Sequence, residues 1–396
     1  MKSIYRTIAA SLLVLVVFAY SPVRAGNNDR AGQAAAAHLL INPWASTNGW
    51  GSAGISFTKG IESMYTNVAG LAFVKKTEIG YSNTMYNMGS QTMINGFGIA
   101  QSLGKDGEKG ILGLSAMIMS LGNIPRTTVD YPDGGLGTFP ATATNIGVSY
   151  SLSFSEYIHA GVSFKLINEV TSDATATGFA IDAGVQYVTG KKEQFRLGVV
   201  LKNIGLPMNY KGDGLSVRSY LNKGFPTTFL LPSESSEMPA LLGLGLSYDF
   251  MFGDKSGGGA SMKSLSRADA KHRITLAGSY VANAYSRDQF IVGLEYDLLQ
   301  TFQVRGGYTL ENFVFETVTK IDNDGNVVKD KNGNVVTEEK LKTNSTSNLS
   351  GPSAGMSVLI PLSKKSESPS RIALDYSYRF TKSWNGCHAI GVRIIL

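Results

Sequence analysis

From about Thr77 onward, apolar and polar residues alternate with a period of two almost to the end of the chain. Residues 158–168 show the rule. Ala160, Val162, Phe164 and Leu166 fall on one face, and His159, Gly161, Ser163 and Lys165 on the other. Successive side chains of a strand point to opposite sides, so each such segment predicts a strand with one greasy and one polar or small surface. Leu242, Leu244, Leu246, Tyr248 and Phe250 alternate with Gly243, Gly245, Ser247 and Asp249 in the same way. The pattern predicts about fourteen strands, near 77–86, 93–103, 110–121, 143–154, 158–169, 178–188, 194–204, 239–250, 273–282, 288–298, 301–310, 353–362, 370–380 and 387–396. Most hold about ten residues, the length of a tilted strand crossing a bilayer.

A soluble sandwich also has one apolar face, so alternation alone does not choose between the two. The polar face does. It is mostly Gly, Ser, Ala and Thr with scattered charges, where the outside of a soluble sheet would be rich in Lys and Glu. Connection lengths alternate as well. Long stretches (122–142, 205–238, 311–352) follow odd-numbered segments, and turns (104–109, 155–157, 189–193, 299–300) mostly follow even ones. Long outside loops with short periplasmic turns are the habit of outer-membrane barrels. The Gly/Ser-rich stretch 251–272 breaks the rule and reads as a flexible periplasmic loop, or as a strand miscounted. The fold class expected is all-β: an antiparallel transmembrane β-barrel of about 14 strands in the outer membrane of a Gram-negative cell, its greasy face on lipid and tyrosines at strand ends.

Composition agrees. Charged residues are 17% of 396, and glycines number 45. That is little charge for a soluble surface, where roughly 25% is usual. The first 25 residues read as a secretory signal. Lys2 and Arg6 precede an apolar run at 8–20, too short to span as a helix, and Val23 and Ala25 supply small residues at a cleavage site. Removing Lys2, Arg6 and Arg24 lowers the formal charge from +6 to about +3, which gives no argument for nucleic acid. A single cysteine, Cys387, excludes a disulfide framework.

Residues 26–76 lie between the signal and the barrel (77–396) and have neither period. Fourteen strands enclose more room than wall side chains fill. The glycine-rich leader is therefore expected to be a plug folded into the lumen, its backbone close to the wall. Inward charges such as Lys165, Asp182, Arg196, Glu295, Arg305, Asp375 and Arg393 are expected to bond to plug backbone.

The stretch NGWGSAGISFTKGIESMYTNVAGLA, residues 48–72, resembles the N-terminal signature of FadL-type barrels and their secretion-associated relatives, the PorV/PorQ family. Gly49, Gly51, Ala53 and Gly54 match its glycine-rich part. Asn67, Ala69, Gly70 and Leu71 match its Asn-Pro-Ala-Gly-Leu turn, with Val68 in place of the proline. LGVVLKNIG at 197–205 resembles a strand of that family ending in Lys-Asn-x-Gly. The resemblance implies a FadL-like barrel with a plug. It also implies a role in type IX secretion, in which such barrels receive exported proteins by their C-terminal domains beside a large translocon.

Chemistry-bearing motifs are absent. His38, His159, His272 and His388 show no ligand spacing, no nucleophile or nucleotide motif occurs, and neither enzyme activity, metal nor cofactor is expected. The loop 311–352 repeats DNDGNVVK and DKNGNVVT. Asp322, Asp324, Asp330 and Asn332 invite a calcium reading, but Gly325 comes too early for an EF-type loop, and Asp-Gly and Asn-Gly before Val-Val predict a hairpin. Loop 205–238 carries Met208, Tyr210, Tyr220, Phe225, Phe229, Leu230 and Leu231, expected to pack over the mouth or to contact a ligand or partner. Two functions remain open. The first is binding or shuttling of exported proteins in type IX secretion; the alternative is FadL-like passage of hydrophobic small molecules. A structural barrel without transport is the third possibility.

Overall fold

The structure, a computed structural model, describes residues 30–396 except 105–106, 191, 221–223, 255–269, 312–313, 320–334, 336, 343–349, 363–369 and 382–383. The signal stretch, most of the acidic repeat and most of the 251–272 link lie outside the described residues. Fourteen strands form the wall: β1 Thr77–Tyr86, β2 Thr92–Ser102, β3 Ile111–Pro125, β4 Thr138–Ser153, β5 Ile158–Thr171, β6 Ala174–Thr189, β7 Phe195–Gly205, β8 Leu241–Asp254, β9 Ala270–Asn283, β10 Gln289–Leu298, β11 Phe302–Glu311, β12 Gly351–Pro361, β13 Arg371–Arg379 and β14 Cys387–Ile395. Each pairs antiparallel with its neighbours in sequence, and β1 closes the sheet on β14, with Glu78 opposite Ile395 and Met85 opposite His388. The link after β8 joins it directly to its sheet neighbour β9, so the count of fourteen holds and both wall ends lie on one side.

Packing is inverted relative to a water-soluble protein. Outward residues stay open to the surroundings, among them Phe179 at 61% and Val148 at 46% exposure, while Arg196 is fully buried. Burying a large apolar side chain is worth roughly 1.5–3 kcal/mol, so dozens left outside require a non-aqueous neighbour. Acyl chains supply it. Among the described residues no helix is long and apolar enough to cross a membrane, and crossing is by strands. The protein is a transmembrane barrel of the Gram-negative outer membrane.

On one side the wall runs beyond the span. Strands β3 to β6 reach 14 to 16 residues. The long connection expected at 122–142 therefore shrinks to 126–137, most of it being strand. The sequence pattern stops earlier because outward positions there, such as Thr142, Thr144, Asn168 and Thr177, no longer need to be greasy. Ladder hydrogen bonds continue regardless. Two short ladders stand on the same side: 216–220 with 226–230, and 314–319 with 337–342. The second flanks the repeat, and the hairpin expected of the repeat itself lies outside the described residues.

Residues 30–76 fill the lumen as a chain of short turns, at Ala37–Leu40, Ala45–Asn48, Gly54–Ser56, Gly60–Tyr65 and Val68–Phe73. Wall glycines make room for them. Gly98 lies under the Trp44 ring, Gly113 under Met64 and Leu71, Gly293 under Trp50, and Gly355 against Gly49. A side chain at any of these places would hold plug and wall apart.

Candidate functional site

The two halves of the plug motif seat on opposite parts of the wall. Ser353 Oγ donates to Gly49 O (3.2 Å), Thr309 Oγ1 to Gly51 O (3.1 Å) and Ser279 Oγ to Ala53 O (2.9 Å), tying the first half to β9, β11 and β12. Gly51 has φ +65°, where only glycine is unstrained. Gly54 packs on Thr58, and a Cβ there would collide with its hydroxyl. The second half faces β3 to β7. Asn67 Nδ2 lies 2.9 Å from Ile55 O, 3.1 Å from Val185 O on β6 and 3.3 Å from Val199 O on β7, two carbonyls in facing positions of the ladder. Its Oδ1 accepts from Ala69 N (3.2 Å), so the asparagine side chain sets the turn that a proline at 68 would otherwise pre-set. Ser151 Oγ donates to Ala69 O (3.2 Å), Gly70 abuts the Thr58 carbonyl, and Leu71 is fully buried beside Met64 and Ile111.

The inward charges behave differently from the expectation. Most pair with one another: Lys165 with Asp182, Arg196 with Asp249 (2.7 Å), and Arg273 with Glu295 (3.0 Å) and Asp297 (2.6 Å). Of those expected to bond to plug backbone, Arg305 does so, reaching Ser46 O at 3.1 Å, and it also meets Glu295 at 3.1 Å. Arg393 clamps Asp375 through two nitrogens (2.8 and 3.0 Å) and touches the plug carboxylate of Glu62 (3.1 Å). Short neutral side chains hold most of the plug backbone because a buried charge needs an opposite charge more than a carbonyl.

Between β6 and β7 the ladder is interrupted. Asp182 faces two residues, Lys202 and Asn203, where register slips between Ile181 and Ala183. This β-bulge turns both inward. Asn203 takes φ +59° and its N–H donates to Asp182 Oδ1 (2.8 Å). Lys165 Nζ donates to Asn203 Oδ1 (3.1 Å), and Lys202 Nζ to Tyr65 O of the plug (2.6 Å). The Lys-Asn pair noted at the end of this strand is therefore the bulge itself.

Next to the bulge, on the outer side, lies a buried apolar cluster of Ala35, Ala36, Leu39, Ile167, Ala176, Ala180, Met208 and Met238, with Tyr210 packed on it. Met208 and Met238 rest on Gly178 of β6, and Gly205 of β7 lies against Met238. The residues proposed for loop 205–238 thus divide. Met208 and Tyr210 close over the plug. Tyr220, Phe225, Phe229, Leu230 and Leu231 stand exposed on or beside the 216–230 hairpin, Tyr220 at 73%. Sequence reasoning missed Leu39, Met238 and the polar group beside the cluster: His38 Nδ1 is 3.2 Å from Glu169 Oε1, and Tyr210 Oη donates to Glu169 Oε2 at 2.7 Å. No spacing rule joins residues from plug, wall and loop. The other histidines pair locally, His159 with Ser153, His272 with Tyr296 and His388 with Tyr376.

No sequence-family profile matches the chain, and no curated protein matches it. Among solved structures, it is similar to the CymD monoaromatic hydrocarbon channel at 13% identity and TM-score 0.49, covering 90% of this chain and 97% of that one. It is similar to the P. putida toluene transporter TodX at 11% and 0.48, covering 89% and 97%. A Pseudomonas aeruginosa FadL homologue gives 11% and 0.45, covering 89% and 98%.

Proposed function

We propose that the barrel is a non-enzymatic, FadL-like passage for hydrophobic small molecules. One observation carries the reading: a methionine-containing apolar cluster is buried against the wall where the β6–β7 ladder is broken, beside an exposed apolar hairpin. The hairpin offers a first landing place on the outer side. Methionine side chains are unbranched and repack easily, so Met208 and Met238 can move aside for a guest. A bulge interrupts the ladder's own pairing, and the guest leaves there sideways into the membrane, with no need to dislodge the plug. The mature chain begins after Ala25, with 26–76 as the plug. In cells, uptake of a small radiolabelled aromatic hydrocarbon should be several-fold faster with the protein than with a variant lacking 216–230. Uptake no faster than in cells without the protein overturns the reading.

A second reading, the PorV/PorQ-type shuttle for exported proteins, is favoured by the exposed hairpin alone, since apolar loops also dock polypeptide. Stoichiometric recovery of a translocon or of cargo C-terminal domains from detergent-solubilised membranes, without hydrocarbon uptake, would move the assignment there.

A further inference from the structure

The cluster has a polar end. His38 is 4% exposed, and Leu39, next to it, and Ala36, two residues before it, belong to the apolar cluster. Tyr210 both packs on that cluster and donates to Glu169. Glu169 therefore accepts from Tyr210 on one oxygen and faces His38 Nδ1 with the other. A carboxylate has no hydrogen to give, so Nδ1 carries a ring hydrogen, and in the tautomer with no hydrogen on Nε2 that nitrogen presents a lone pair. That Nε2 is buried and has no hydrogen-bond partner. Buried polar atoms are almost always paired, and one that is not calls for a reason.

We propose that His38, Glu169 and Tyr210 are the polar end of a ligand site whose body is the Leu39–Met208–Met238 cluster, and that it selects an aromatic or alkyl molecule bearing one hydroxyl group. This rests on the passage reading above. A hydroxyl donates to the Nε2 lone pair and places no charge in an apolar surrounding. A bare hydrocarbon leaves the nitrogen unpaired. A carboxylate has no hydrogen for it and brings a second negative charge towards Glu169. Ligand sites are commonly built this way, mostly apolar with a few placed polar groups that set specificity. His38 is then the residue that contacts ligand, Glu169 fixes its tautomer, and Tyr210 positions Glu169.

The test uses the full mature chain in lipid nanodiscs and equilibrium dialysis of three probes of matched size: an alkylphenol, an alkylbenzene and an alkyl phenyl ketone, with empty nanodiscs subtracted. The wild type should bind the phenol at least about ten-fold more tightly than the other two, since a site built around a hydrogen bond rejects analogues that lack it. His38→Leu should lose that preference and keep alkylbenzene binding. Glu169→Gln should shift the preference towards the ketone, because an amide N–H at Nδ1 moves the ring hydrogen to Nε2. A purely structural role for the triad would not reverse a preference, and this second variant serves if the first does not fold. Equal binding of all three probes to the wild type overturns the inference and leaves the passage reading intact. Binding of none overturns both.

Discussion

Gly198 and Gly307 are where single atoms decide whether the lumen is filled. A Cβ on Gly198 would enter the Ile55 carbonyl, and one on Gly307 would enter the backbone of Trp50. Neither obstacle is the movable end of a side chain, so the plug itself must shift. Overpacking a tight core costs about 1–3 kcal/mol where side chains can give, and backbone gives less. Gly278 on β9 is the natural control, with nothing within 4 Å of its Cβ position. Gly198→Val and Gly307→Val should each lower stability in lipid by about 2 kcal/mol or more and make planar bilayers leak ions. Gly278→Ala should change neither by a measurable amount. Equal behaviour of the three in urea unfolding and conductance would refute the close-approach account. Asn67 works at the same scale, one side chain linking the plug to two strands.

At the scale of elements, the strands were legible wherever lipid imposes a choice on every second residue. All fourteen stand where the alternation of Leu, Val, Phe and Tyr places them, and their outer ends were illegible because water asks nothing particular of Thr142 or Thr177. The bulge was illegible too. A single extra residue flips facing from Lys202 onward, and period-two reading takes Lys202 and Asn203 for opposite faces. Of the candidate site, the plug motif was legible through its glycines. The apolar cluster was not, because Leu39, Met208 and Met238 meet only after the barrel closes. The bulge carries its own prediction. Lys165 and Asp182 are buried at 4% and 2% exposure and paired with each other. Removing one partner of a buried pair typically costs 3–5 kcal/mol, while replacing both with apolar groups is near neutral. Asp182→Ala should therefore lower stability by about 3 kcal/mol, and the double variant with Lys165→Met should recover most of it in urea titrations. A double variant no better than the single one would show that the cost does not come from leaving Lys165 unpaired.

For the whole molecule, the question is how a plug made of loops stays in place without a hydrophobic core of ordinary size. Apolar patches around Trp44 and Trp50 hold part of it, and a cluster of buried charges lies beside the first of them. There Glu62 of the plug shares Arg393 with Asp375, accepts from Ser46 Oγ at 2.5 Å, and faces Glu78 of β1 and Arg305 of β11. Three carboxyls thus surround one guanidinium, the second guanidinium being engaged with Glu295. Burial, above all, pushes the Glu62 carboxyl above the ordinary carboxylate range, against the pull of Arg393. A carboxyl raised on folding favours the folded arrangement at low pH, and that contribution is lost as pH rises through the raised value. The hold on residues 60–66 should therefore weaken as pH climbs from the ordinary carboxyl range upward. Hydrogen exchange of this segment in nanodiscs, corrected for the intrinsic pH dependence of exchange, should show protection falling with pH in the wild type. In Glu62→Gln, which keeps a neutral group at the same place, protection should stay level. A wild-type profile as flat as that of the variant would mean that the plug is held by shape alone.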